Sequence, residues 1–139
     1  MLNVRSGQHA CFDRMVIDIG GQVGGYSAEY RDHNLNGPDA SWNPRGDAYL
    51  TIFVQNPPTR TGWDYGTADP VIIPDVTDFT GYRTFRQIMQ VHYNDYDGGV
   101  HLVPDMFALA VRAHLPFRVF TLAGPGDNNR LVIDVAHKW

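Results

Sequence analysis

Apolar residues recur at every second position through most of this chain, a spacing that a helix cannot use. A strand turns successive side chains to opposite faces, whereas a helix needs apolar residues three and four apart. From Arg14 to Ile19 the pattern places Met15, Ile17 and Ile19 on one face and Asp18 on the other. Gly20, Gly21, Gly24 and Gly25 then mark a turn. Alternation resumes from Tyr26 to Asp32, with Tyr26, Ala28 and Tyr30 against Ser27, Glu29 and Arg31. Asp13 to Asp32 therefore reads as a β-hairpin.

His33 to Asp47 is rich in Asn, Asp, Pro and Gly and reads as a loop holding Trp42. Ala48 to Gln55 is a strand with apolar residues on both faces, as expected of a central strand. Asn56 to Gly81 is irregular, with a short strand expected at Val71 to Ile73 and one helical turn within Asp75 to Tyr82, capped by Thr77 or Asp78. Arg86 to Asn94 alternates again. Asp97-Gly98-Gly99 has turn chemistry, and a strand returns over Val100 to Val103. Met106 to Leu115 contains helix-favouring Ala and Leu, but Pro104 and Pro116 bracket only eleven residues, so a strand is expected. Phe117 to Leu122 and Arg130 to Ala136 are strands flanking a turn at Pro125 to Asn129. The sum is an all-β fold: a β-sandwich or partly open barrel of about eight or nine short strands, with at most one short helix. No internal repeat or linker divides the chain, so residues 1–139 read as a single domain.

Charge narrows the functional classes. The net charge is −4, Lys138 is the only lysine, and the arginines are scattered singly. A nucleic-acid binder needs a clustered basic footprint, so no nucleic-acid partner is expected. No stretch approaches the roughly 20 apolar residues of a membrane-spanning helix. Met1 to Arg5 lacks a signal peptide's apolar stretch, which leaves a cytoplasmic protein or one whose leader has been removed. Cys11 is the only cysteine, which excludes an intrachain disulfide and a Cys-rich zinc site. It is expected to be a small buried hydrophobe.

No catalytic, metal or cofactor site is expected. The six histidines show no recognised metal spacing; His92 and His101 straddle the expected turn and, with Asp95, are the one candidate zinc set, against the reading of ordinary surface or half-buried histidines. Asn94 to Gly98 lacks the bidentate Glu of a calcium loop. Ser6, Ser27 and Ser41 lie outside any Gly-x-Ser-x-Gly, and no Gly-rich phosphate loop precedes a helix. The loop aromatics Trp42, Trp63, Tyr65, Tyr82 and Tyr96 have two readings: platforms that stack on sugar rings or anchor a protein, and lids over the ends of the sandwich.

Three strings near the start, Val4 to His9, Phe12 to Asp18 and Gly24 to Tyr30, resemble the opening of AMIN-like domains of secreted actinobacterial proteins and lipoproteins. Pro116 to Leu122 and Arg130 to His137 resemble that family's closing pair of strands more closely. The string Arg-Leu-Val-Ile-Asp-Val is also similar to AMIN modules of cell-wall amidases and secretins. About half the chain carries the resemblance. Asn56 to Thr84 departs from it, and Gly124 to Asn129 lengthens the last turn. The resemblance implies a non-catalytic domain outside the membrane, behind a signal peptide or lipid anchor trimmed from this chain. It implies targeting to peptidoglycan or another wall glycan; the alternative is a protein-interaction domain docking onto an envelope complex. The expected contact residues are Trp63, Tyr65 and Tyr96, with Arg14 and Arg118 as charge partners. For the arginines the competing reading is an Arg–Asp pair between neighbouring strands, with Asp18 and Asp134 as the available acids.

Overall fold

The computed structural model describes residues 3–31, 45–55, 71–72, 79–91 and 105–139. They form nine strands: β1 (Asn3–Gln8), β2 (Phe12–Ile19), β3 (Gly25–Arg31), β4 (Ala48–Gln55), β5 (Val71–Ile72), β6 (Phe85–Val91), β7 (Asp105–Val111), β8 (Phe117–Ala123) and β9 (Asn129–Ala136). All pairings are antiparallel and build two sheets, a four-stranded one in the order β1-β2-β9-β8 and a five-stranded one in the order β3-β4-β7-β6-β5. The arrangement is sandwich-like with open sheets, and no helix occurs among the described residues.

Alternation decides which side chains meet. In β2 burial switches at every residue, and in β9 Leu131, Ile133 and Val135 face the same interior as Met15, Ile17 and Ile19. From the other sheet, Leu50, Ile52, Val54, Ile88, Phe107, Leu109 and Val111 complete the core. The five-stranded sheet is buried on its second face too, where Tyr49, Thr51, Met89, Met106, Ala108 and Ala110 are nearly inaccessible. The two-sided apolar character of β4 reflects this burial, and β4 lies inside its sheet between β3 and β7. β7 is a strand, as the bracketing prolines required.

Specific bonds close the gaps between sheets. Tyr26 on β3 donates to the Val119 carbonyl of β8 at 3.0 Å. Tyr30 donates to the Leu115 carbonyl at 2.7 Å and accepts from the Leu115 amide at 3.1 Å, its ring stacked on His114 and edge-on to Phe117. On the opposite side Ser6 Oγ and Tyr82 Oη are 2.9 Å apart.

Two expectations need correction, and a third, the helical turn, falls mostly outside the described residues. β2 and β3 do not form a hairpin: β2 pairs with β1 and β9, while β3 pairs with β4 in the other sheet. The Gly20–Gly25 connection carries the chain between sheets, and alternation sets a strand's faces but not its partner. Cys11 is exposed, because it lies in the tight connection between β1 and β2 rather than on an inward phase. Within Asp75 to Tyr82, only Phe79 to Tyr82 is described, and it makes a turn closed by Tyr82 N to Phe79 O at 3.0 Å. Trp42, the strand expected at Val100 to Val103, the Asp97-Gly98-Gly99 turn and the His92, Asp95, His101 group lie outside the described residues.

Candidate binding site on the four-stranded sheet

Phe12, Arg14, Val16 and Asp18 of β2 alternate with the core residues and so project from the sheet's outer face. The register sets Arg14 opposite Asp134 of β9, and Asp134 opposite Arg118 of β8. One carboxylate thus lies between two guanidinium groups on adjacent strands. Arg14 grips it bidentately, Nε to Oδ1 at 2.6 Å and Nη2 to Oδ2 at 2.8 Å, and Arg118 adds Nε to Oδ2 at 2.7 Å. The rings of Phe12 and Phe120 sit 5.1 to 5.8 Å from both guanidinium carbons, within cation–π range.

This packing explains why Asp134 is only 4% exposed on an outer face. Burial pushes its pKa up, but hydrogen bonds and charge from Arg14 and Arg118 outweigh that, and the carboxyl is held below its ordinary value. The hydrogen bond to Asp134 in turn raises the Arg14 pKa. The two arginines are not equivalent. Arg14 is mostly covered, whereas Arg118 is 63% exposed and commits only Nε, leaving both Nη nitrogens free of protein partners among the described residues.

Two rows further along the strands, Asp18 faces Arg130 in the register but bonds Arg5 at 2.8 Å. Beside this row Asn3, Arg5, Asp18, Gly124, Pro125, Asn128, Asn129 and Arg130 line a pocket of about 440 Å³. The β8–β9 turn forms one wall, closed by Gly124 N to Asn128 O at 2.8 Å. Asn129 Nδ2 donates to the Gly21 carbonyl at 2.9 Å, anchoring that wall to the end of β2.

A third polar cluster was not foreseen. Asp13 is fully buried, with Oδ2 accepting from the Thr84 and Phe85 amides at 2.6 and 3.3 Å and Oδ1 accepting from His137 Nε2 at 2.9 Å. It fastens β2 of one sheet to the start of β6 in the other. The signal was present: Asp13 shares its odd phase with Met15, Ile17 and Ile19, as His137 does with Leu131, Ile133 and Val135. The bonds of Asp13 are to backbone amides and to a side chain just past the end of β9, so the cluster ties the two sheets together. No group of three or more His, Cys, Asp or Glu able to hold a metal occurs among the described residues.

The fold thus brings Arg14 and Arg118 together, on either side of Asp134. Trp63, Tyr65 and Tyr96 lie outside the described residues. Among the described residues no helix is long and apolar enough to cross a membrane. The sequence profile of the AMIN-like domain matches residues 1–137. No curated protein and no solved structure matches the chain.

Proposed function

This chain belongs to the AMIN-like domain family, and on that premise we propose that it is an extracytoplasmic module, a single domain over residues 1–139, that contacts peptidoglycan or another wall glycan. Domains of this family are cell-wall-related binding modules, generally non-catalytic and outside the cytoplasm. One observation carries the finer reading. On a chain of net charge −4, Arg118 presents two Nη nitrogens that have no protein partner among the described residues, from a guanidinium fixed in place by Asp134 and flanked by Phe12 and Phe120. A fixed, planar cation loses little freedom on meeting a carboxylate, and the peptide stems of peptidoglycan carry carboxylates. Arg14 supports this contact by holding Asp134 from the other side. Trp63, Tyr65 and Tyr96 are proposed as the aromatic contacts to sugar rings.

The test is sedimentation of the purified domain with insoluble peptidoglycan at several low salt concentrations. The wild type is expected in the pellet, weakly bound per unit and strengthened by repeated attachment. Arg118→Ala should reduce the bound fraction about tenfold, in line with the roughly 1.5 kcal/mol of a hydrogen bond to a charged group. Trp63→Ala and Tyr96→Ala should weaken it as well. If the wild type stays in the supernatant throughout, the glycan reading fails and docking onto an envelope protein takes its place.

A further inference from the structure

We propose that the pocket beside the β8–β9 turn is a second subsite, which takes a sugar bearing one anionic group. The proposal rests on the envelope-glycan reading for its biological setting, but its chemistry comes from the pocket itself. Asp18 and Arg130 face each other across β2 and β9, as Arg14 and Asp134 do, yet Asp18 is engaged by Arg5 instead. Arg130 is therefore a cation with no carboxylate partner among the described residues. Its Nη2 donates to the Ala123 carbonyl at 2.7 Å, while its Nε is buried with no hydrogen-bond partner. That Nε is sealed inside the protein, but Arg130 also lines the pocket, where an incoming oxyanion would meet the unneutralised guanidinium charge.

The rest of the lining supplies groups suited to hydroxyls. Asn128 uses its Oδ1 on the Gly21 amide, and Asn129 uses its Nδ2 on the Gly21 carbonyl. That leaves an amide donor on one and an amide acceptor on the other, the pair that a sugar hydroxyl can answer from both sides. Asn3 adds a further amide. The described residues that line the pocket are polar or small, without an aromatic ring among them. The volume of about 440 Å³ falls within the range of small-molecule sites and holds at least one sugar unit. The Asp18–Arg130 row lies four residues along β2 from the Arg14 row, roughly 13 Å at strand rise. A chain of sugars crossing the sheet would touch both sites.

The charge is met equally by a carboxylate or a phosphate, so the experiment has an arm for each. Amide chemical shifts of the ¹⁵N-labelled chain are followed while titrating sodium glucuronate, glucose 6-phosphate or neutral glucose at constant ionic strength. Saturable shifts centred on Asn128, Asn129 and Arg130 are expected with one or both anionic sugars, and at least tenfold weaker binding with glucose. Arg130→Gln should weaken the anionic sugar at least tenfold, while Arg130→Lys, which keeps the charge, should weaken it less. Unchanged shifts elsewhere in each variant establish that it folds. Absence of saturable shifts at the pocket, equal binding of glucose, or full binding by Arg130→Gln would overturn the subsite. Loss of wild-type sedimentation with intact pocket shifts overturns the wall reading and leaves the subsite standing.

Discussion

Arg14 and Asp134 face each other directly across β2 and β9, joined by two hydrogen bonds of 2.6 and 2.8 Å although 120 residues separate them. The pair does two jobs on one surface. It neutralises a carboxylate that the sheet has nearly buried, and it leaves Arg118 on the far side of that carboxylate as the exposed cation.

Replacing Asp134 with Asn should therefore destabilise the fold by about 1–3 kcal/mol at neutral pH, since a hydrogen-bonded anion is lost between two partly exposed cations. Urea midpoints of the two proteins measure it. The pH dependence has a definite sign. Because the folded-state pKa is below the ordinary value of 3.8, the ionic contribution is fully present above that value and is lost as pH falls through the depressed one. The gap between wild type and Asp134→Asn should narrow on acidification below about pH 4.

Asp13→Ala should cost about 3 kcal/mol or more, because two buried amides and the His137 ring lose their acceptor together. Asp13→Asn should cost less, since its amide oxygen still serves Thr84 and Phe85. Hydrogen exchange at the Thr84 and Phe85 amides should accelerate strongly in the alanine variant and modestly in the asparagine variant.

Tyr30→Phe removes both bonds to Leu115 and should cost about 1–3 kcal/mol in thermal unfolding. Burial raises the Tyr30 pKa above 10.0, partly offset by the hydrogen bond it accepts from the Leu115 amide. Above pH 10 the unfolded chain loses this proton before the folded one does, so wild-type stability should fall as pH rises there. Tyr30→Phe should flatten that fall.

Gly46→Ala should destabilise by about 1–3 kcal/mol. The backbone there has φ +120°, and an added Cβ would lie 2.9 Å from the Val111 carbonyl oxygen and 3.2 Å from its nitrogen. The Asp47 amide bond to that same carbonyl should loosen, which hydrogen exchange reads directly.

Strand positions were largely legible because burial imprints a period on the residues themselves. Ala48 to Gln55 is a strand with the expected bounds, and Arg130 to Ala136 is β9 less its first residue. Partnership was not legible. Nothing in Arg14 to Ile19 says whether its neighbour is the next strand or one more than a hundred residues later. β1 was harder still, since Ser6, Gly7 and Gln8 supply no apolar alternation, and only the family resemblance drew attention to the segment. The same limit applied at the surface. Arg14 and Arg118 stood out as singly placed cations, but their convergence on Asp134 is a fact of register. The pocket around Arg130 depends on which arginine Asp18 engages, a choice between Arg5 on β1 and Arg130 on β9 that no local pattern records.

The place of β2 between β1 and β9 has a consequence for how the chain comes to be folded. During synthesis β1 and β2 emerge early, yet the second neighbour of β2 is made more than a hundred residues later. Until residues 129–136 arrive, one edge of β2 has no ladder partner, and Met15, Ile17 and Ile19 lack their neighbours Leu131, Ile133 and Val135 in the same sheet. Closure of this sheet must meet the entropy of a very long loop before its contacts reward it, which makes for slow folding and a prolonged interval of vulnerable apolar surface. A nascent chain of this topology gains from being kept extended until it is complete, and its yield should respond more to holding chaperones than to any single stabilising substitution.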